Sequence, residues 1–179
     1  MGTKSHVPGP GWTPHKTLVL PISPEQWEPP EEPVEVDGIM FQPKRELHVT
    51  LIGRGLGQVL HADPARRQAV REAFMRLDWS FSRTGQLLRL EKRELPGSGG
   101  GRAIGAIIER IEMPAMAQFY DALAGLLERG LAIPPAHVTL YTAGTSQGIG
   151  VPDVATLNRL TVHPIPAPTP PRDQPHARH

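Results

Sequence analysis

The tetrapeptide His-Val-Thr-Leu occurs twice in the chain, at residues 48–51 and again at residues 137–140. Apolar and polar residues alternate through both copies, which predicts that each copy lies on a β-strand. Residues two apart on a strand point to the same side, so His48 shares a face with Thr50, and His137 with Thr139. If the two copies face one cleft, two imidazoles and two hydroxyls converge on a small volume.

Such a set of side chains is suited to proton transfer at a phosphodiester. One neutral imidazole takes a proton from the attacking water or hydroxyl, and the other, as imidazolium, protonates the leaving oxygen. Threonine hydroxyls donate hydrogen bonds to the non-bridging oxygens and stabilise charge as it builds there. This chemistry needs no metal, and the chain lacks the His-Glu-x-x-His pattern of metallohydrolases.

Two His-Φ-Thr-Φ motifs (Φ, apolar) about ninety positions apart in a chain of 179 residues resemble those of the 2H phosphoesterases. The layout is most similar to the LigT-like branch of RNA ligases and cyclic phosphodiesterases, and the resemblance covers residues 17–163. It implies a bilobal α+β fold with pseudo-two-fold symmetry and an active-site groove between the lobes. It also implies that His48 and His137 are the catalytic pair and that Thr50 and Thr139 bind the phosphate.

We therefore expect a metal-independent phosphodiesterase, with no cofactor, that acts on the 2′,3′-cyclic phosphate of a nucleotide or an RNA 3′ end. Ring opening is favoured over ligation because it needs only acid–base catalysis on a strained substrate. The alternatives are 2′–5′ phosphodiesterase or RNA ligase activity, and a non-catalytic module that binds a nucleotide or RNA end. A metalloprotein is disfavoured because no third ligand accompanies His48 and His137. The sequence leaves open the acid and base assignment, the ester bond that opens, the base preference and the substrate size.

Tyr141 continues the second copy by one more alternating step, where the first copy has Ile52. On strict alternation Tyr141 shares the face of His137 and Thr139, so we include it among the substrate-binding residues. Its ring would stack on a base or its hydroxyl would bind phosphate, the alternative being a packing role at the groove wall. The glycine-rich segment 144–150 follows, and its backbone amides either contact the substrate or serve chain geometry alone.

The pattern of the rest of the chain predicts an α+β fold of two similar halves, with two largely antiparallel sheets flanked by helices. Helices are expected to begin at Asp63–Pro64, at Pro114 and at Pro152, the second ending at Gly130. The glycines at 53, 55 and 57 indicate a flexible turn, and Phe41 is expected in the core. Strands are expected at residues 17–20, 38–42, 46–53, 79–81, 86–90, 103–111, 136–142 and 161–163.

Composition restricts the class of protein further. One domain (residues 17–163) is expected between proline-rich tails, 1–16 and 164–179, which are too polar to bury a core. A net charge of +1 argues against a duplex DNA partner, and the absence of cysteine excludes disulfides. No apolar run reaches membrane-spanning length and no secretory signal is evident, so we expect a cytoplasmic protein without a membrane partner. We expect a monomer, because a two-lobed chain completes its own active site.

Overall fold

In residues 10–94 and 101–166, the part of the chain that the computed structural model describes, nine strands and four helices form. The predicted α+β class is confirmed. The strands are β1 (Gly11–Trp12), β2 (Leu18–Ile22), β3 (Val34–Val36), β4 (Ile39–Pro43), β5 (Leu47–Ile52), β6 (Ser82–Arg93), β7 (Ala103–Glu112), β8 (His137–Ala143) and β9 (Thr161–Ile165). The helices are α1 (Arg54–His61), α2 (Pro64–Met75), α3 (Ala115–Leu127) and α4 (Val154–Leu160).

Strand pairing joins all nine strands into one antiparallel sheet. The order along the main path is β1-β2-β5-β8-β7-β6-β9, and the β3–β4 hairpin attaches through β4 to β8. The strands β4 and β5 therefore lie along the same edge of β8, one beyond the other. The two strands that carry the repeated tetrapeptide, β5 and β8, are neighbours in the middle of this sheet.

The face of the sheet that carries Val49 and Val138 is covered by helices. Both valines are fully buried in the main hydrophobic cluster, together with Val70 and Phe74 of α2 and Phe119 of α3. Fully burying a valine, leucine or phenylalanine side chain contributes about 1.5–3 kcal/mol, so this face determines which way β5 and β8 are turned. Phe41 is buried as expected, although it lies outside this cluster.

The start of helix α2 was predicted correctly, because a capping residue marks it in the sequence. The Asp63 side chain accepts a hydrogen bond from the Ala65 amide at the start of α2, which confirms the predicted cap. The helix opened by Pro114 ends earlier than predicted, at Leu127, because Glu128 takes the left-handed conformation that ends helices. Residues 79–81 precede β6 and are not part of a strand.

The glycine-rich stretch after the first motif forms helix α1, where the sequence predicted a flexible turn. Gly57 is required in this helix because a Cβ there would lie 1.8 Å from the carbonyl oxygen of Lys16. The tight approach holds α1 against the turn that follows β1. Residues 10–16, assigned from the sequence to the N-terminal tail, thus belong to the folded unit, whereas residues 1–9 and 167–179 of the two tails lie outside the described residues.

No helix in the described part of the chain is long and apolar enough to cross a membrane.

A polar cluster at the far edge of the sheet ties three elements together. Asp37 and Gly38 form the two-residue turn of the β3–β4 hairpin, both with positive φ, as this turn type requires. The Asp37 carboxylate accepts hydrogen bonds from Arg89 of β6 and His163 of β9, each at 2.6 Å. The pKa of His163 is raised by its hydrogen bonds to the Pro164 carbonyl and to Asp37, and the pKa of Asp37 is lowered, chiefly by His163.

The Asp37–His163 bond makes stability depend on pH. Because the folded-state pKa of His163 is raised, its stabilisation is complete below the unfolded-state pKa and is lost as pH rises through the folded-state value. His163→Gln should therefore lower the melting temperature at about pH 5.5 and leave it nearly unchanged at about pH 8.5. In an Asp37→Asn background the same substitution should have a smaller effect at about pH 5.5, because only the bond to the Pro164 carbonyl is then lost, and an equal loss in both backgrounds would contradict the assignment.

Candidate active site

The two copies of the tetrapeptide meet at one pair of residues, since Val49 of β5 pairs with Val138 of β8. In an antiparallel pair this register places His48 opposite Thr139 and Thr50 opposite His137. His48 and His137 are then diagonal neighbours, with Cα atoms about 7–8 Å apart. The structure therefore brings together four of the five site residues predicted from the sequence, and all four are partly buried.

These four side chains lie on the face of the sheet opposite the helix-covered one, because Val49 and Val138 point toward the helices. Next to them on this face, Ile108 of β7 pairs with Thr139 and belongs to a second hydrophobic cluster. That cluster packs Leu157 of α4 and residues 149–151 over β6 and β7. The polar face of β5 and β8 thus lies beside this packed layer, and we refer to the space above this polar face as the groove.

In each motif, the strand pairing shifts by one residue at the leucine. Between β5 and β2, Thr50 pairs with Val19 and Ile52 with Leu18, which leaves Leu51 unpaired. The equivalent break occurs between β8 and β7, where Leu140 is left unpaired. Such bulges reverse the alternation of the side chains that follow, and they are frequent beside active sites.

The bulge at Leu140 corrects the expectation for Tyr141. Thr139 pairs with Ile108, whereas Tyr141 pairs with Ile107, and consecutive residues of β7 face opposite sides of the sheet. Tyr141 accordingly packs against the main hydrophobic cluster on the helix side. Its counterpart Ile52 is buried in the same cluster. The structure does not place Tyr141 with the four motif residues, and the predicted substrate-binding role had assumed unbroken alternation.

The ring of His137 is held in one orientation by the backbone. Its Nδ1 lies 2.8 Å from the carbonyl oxygen of Pro135, and since a carbonyl only accepts, Nδ1 carries the hydrogen. This leaves Nε2 as the nitrogen that exchanges a proton. The pKa of His137 is lowered, mainly by burial and further by the charge of Arg110, while the bond to Pro135 raises it.

The pKa of His48 is also lowered, first by burial and then by the charges of Lys44 and His137, with Glu46 acting in the opposite direction. The effect of His137 on His48 agrees with their diagonal placement. Each histidine therefore has a cation as a neighbour, and both favour the neutral form. An anion bound between them would reverse this preference, because it stabilises imidazolium.

No family model, curated protein or solved structure matches the chain significantly. The resemblance to the 2H phosphoesterases accordingly rests on the two motifs.

The glycine-rich segment 144–150 lies over the second motif. A Cβ on Gly148 would be 3.0 Å from the Thr139 hydroxyl oxygen, and Lys44 Nζ donates a hydrogen bond to the Ser146 carbonyl at 2.9 Å. Gln147 Nε2 lies 3.3 Å from His15 Nε2, in the turn before β2. Of the two alternatives that the sequence offered for this segment, contact with the site is the one its position favours.

Lys44 and Arg110 are candidate functional residues that sequence reasoning missed. Lys44 lies between β4 and β5, and its amide donates to the Leu140 carbonyl, which brings it to both motifs. Arg110 of β7 pairs with His137. For Arg110 a signal existed, because it is one of two charged residues in the otherwise apolar segment 103–111. For Lys44 no sequence pattern pointed to the site.

Two other concave regions lie away from the motif residues. A cavity of about 90 Å³ lies beside Phe41 and Arg89, and a cleft of about 580 Å³ lies between Trp12 and helix α2. Neither is lined by a motif residue. Within the described residues, no three histidine, aspartate or glutamate side chains are grouped so as to hold a metal ion.

The close approach of Gly148 to Thr139 predicts a local effect of an added methyl group. Gly148→Ala should displace the Thr139 side chain or the segment above it, because a Cβ contact of 3.0 Å is tighter than packing allows. The methyl resonance of Thr139 should shift in an NMR spectrum. Gly150→Ala is the matched control, since its Cβ would meet nothing within 4 Å. An unmoved Thr139 resonance in Gly148→Ala would contradict this placement of the segment.

Proposed function

We propose that the chain is a metal-independent phosphodiesterase that opens the 2′,3′-cyclic phosphate of a nucleotide or an RNA 3′ end. The observation that supports this proposal is the register of the two motifs, in which Val49 pairs with Val138 and leaves two histidines and two threonines on one face. In the proposed complex a single phosphate lies on this polar face, among the two histidines and the two threonines.

In this reaction a water oxygen attacks phosphorus, and the bond from phosphorus to one ribose oxygen breaks. One imidazole accepts the proton of the water while the other, as imidazolium, gives its proton to the leaving ribose oxygen. The product is a phosphomonoester with a free ribose hydroxyl, and the two histidines have exchanged protonation states. Proton exchange with solvent restores them before the next turnover.

The threonines and the ring orientation of His137 define how the phosphate is held. Thr50 and Thr139 donate hydrogen bonds to the two non-bridging oxygens, where negative charge builds in the transition state. The bond from His137 Nδ1 to Pro135 directs Nε2 to the reacting oxygen in both protonation states. Burial and nearby cations lower the pKa of both histidines in the free chain, and the anionic substrate raises it, so that one histidine takes up from solvent the proton that it needs as an acid.

The two paired motifs are related by a local two-fold axis between Val49 and Val138. The same axis relates the bulges at Leu51 and Leu140. We take this local symmetry as support for the bilobal, pseudo-symmetric organisation that the motifs imply. In the proposed reaction the attacking water lies at one histidine and the leaving ribose oxygen at the other, on opposite sides of this axis.

The test is turnover of nucleoside 2′,3′-cyclic phosphates of all four bases in the presence of EDTA. Turnover by the unmodified chain should resist EDTA, and His48→Ala and His137→Ala should each lower kcat by about 10²- to 10⁴-fold, the usual contribution of a general acid or base. His163→Gln, on the far edge of the sheet, is the matched control and should retain full activity.

Three outcomes would count against the proposal. Loss of activity in EDTA would indicate a metal-dependent reaction. Activity that survives either motif substitution would remove that histidine from the mechanism. No turnover with any base, combined with nucleotide binding that survives both substitutions, would indicate a binding module in the same groove.

A further inference from the structure

Arg110 is the one arginine of β6 and β7 that faces the groove and has no carboxylate partner in the described part of the chain. On the opposite face, Arg83 forms two hydrogen bonds to Glu109, at 2.8 and 2.9 Å, and Arg89 binds Asp37 and Glu91. Arg110 has no such ion pair among residues 10–94 and 101–166. Its charge is therefore available to an anion from solution.

Part of the Arg110 guanidinium is also removed from water. The Nε atom is buried and has no hydrogen-bond partner within the described residues. A buried donor without a partner destabilises the protein, so its presence needs a compensating role. Phosphate is one of the partners that a guanidinium binds through two parallel hydrogen bonds, because the planar fork matches two of its oxygens.

The position of Arg110 separates it from the scissile phosphate. It pairs with His137 on the side away from β5, one strand outside the four motif residues. The proposed reaction already uses all four motif side chains: one histidine for the attacking water, the other for the leaving ribose oxygen, and the two threonines for the non-bridging oxygens. The Arg110 guanidinium is therefore available to a second anionic group on the His137 side of the groove.

We propose that Arg110 binds a second phosphate of the substrate, the one on the 5′ side of the nucleoside that carries the cyclic phosphate. This inference rests on the proposed function and narrows its substrate class. Preferred substrates are RNA 3′ ends, or nucleoside 5′-phosphates with a 2′,3′-cyclic phosphate, and nucleosides with a free 5′-hydroxyl are poorer. Lys44 is less suited to this role because it lies beside His48 and its ammonium already donates to Ser146.

The experiment compares adenosine 2′,3′-cyclic phosphate with and without a 5′-phosphate. The unmodified chain should favour the 5′-phosphorylated substrate by about 10- to 100-fold in kcat/KM, the value of a charge-assisted hydrogen bond to phosphate. Arg110→Met should remove this preference, and Arg110→Lys should restore part of it because the charge returns without the fork. Lys44→Met is the matched control and should keep the preference.

A binding measurement separates this inference from the proposed function. Calorimetry compares adenosine 3′-monophosphate with adenosine 3′,5′-bisphosphate, neither of which requires turnover. If no cyclic phosphate is hydrolysed but the 5′-phosphate still adds affinity that depends on Arg110, the proposed function fails and the second-phosphate site stands. The inference is overturned if the 5′-phosphate adds no affinity, if the gain survives Arg110→Met, or if it is lost in Lys44→Met instead.

Discussion

The pairing of Val49 with Val138 is the constraint on which the candidate site depends. Both valines are buried beneath the helices that pack on their face of the sheet. A slip of β5 by one residue would turn Val49 out to the groove and bury His48 or Thr50 among apolar side chains. Burial of the two valines and the cost of burying unpaired polar groups therefore fix the same register. The alternating hydrophobic residues of each motif therefore also determine where its histidine and threonine side chains point.

A second consequence of this register is electrostatic. Two half-buried imidazoles are brought close together, and each has a cation nearby, Lys44 beside His48 and Arg110 beside His137. Burial and these charges lower both histidine pKa values, so both rings favour the neutral form beside two positively charged side chains. In the proposed complex, a phosphate group would supply the negative charge that balances these cations.

The sequence predicts those features that follow from local pattern. Alternation around the two motifs placed them on strands and placed the valines in the core, and the Asp63–Pro64 pair marked the start of α2. Features that depend on contacts between distant segments were missed. Helix α1 forms although Gly55 and Gly57 lie within it, with Gly57 in close contact with Lys16, and Tyr141 turns to the helix side because β8 bulges against β7. Lys44 reaches the site through the pairing of β4 with β8, which no local pattern encodes.

The most direct test of the account is an NMR titration of the His48 and His137 side chains, with and without inorganic phosphate at constant ionic strength. In the free protein both pKa values should lie below the ordinary value for histidine. Phosphate should raise both together, because one anion lies between the two rings, whereas chloride should leave them unchanged. A phosphate-induced rise at only one histidine, or at neither, would contradict a single shared phosphate site.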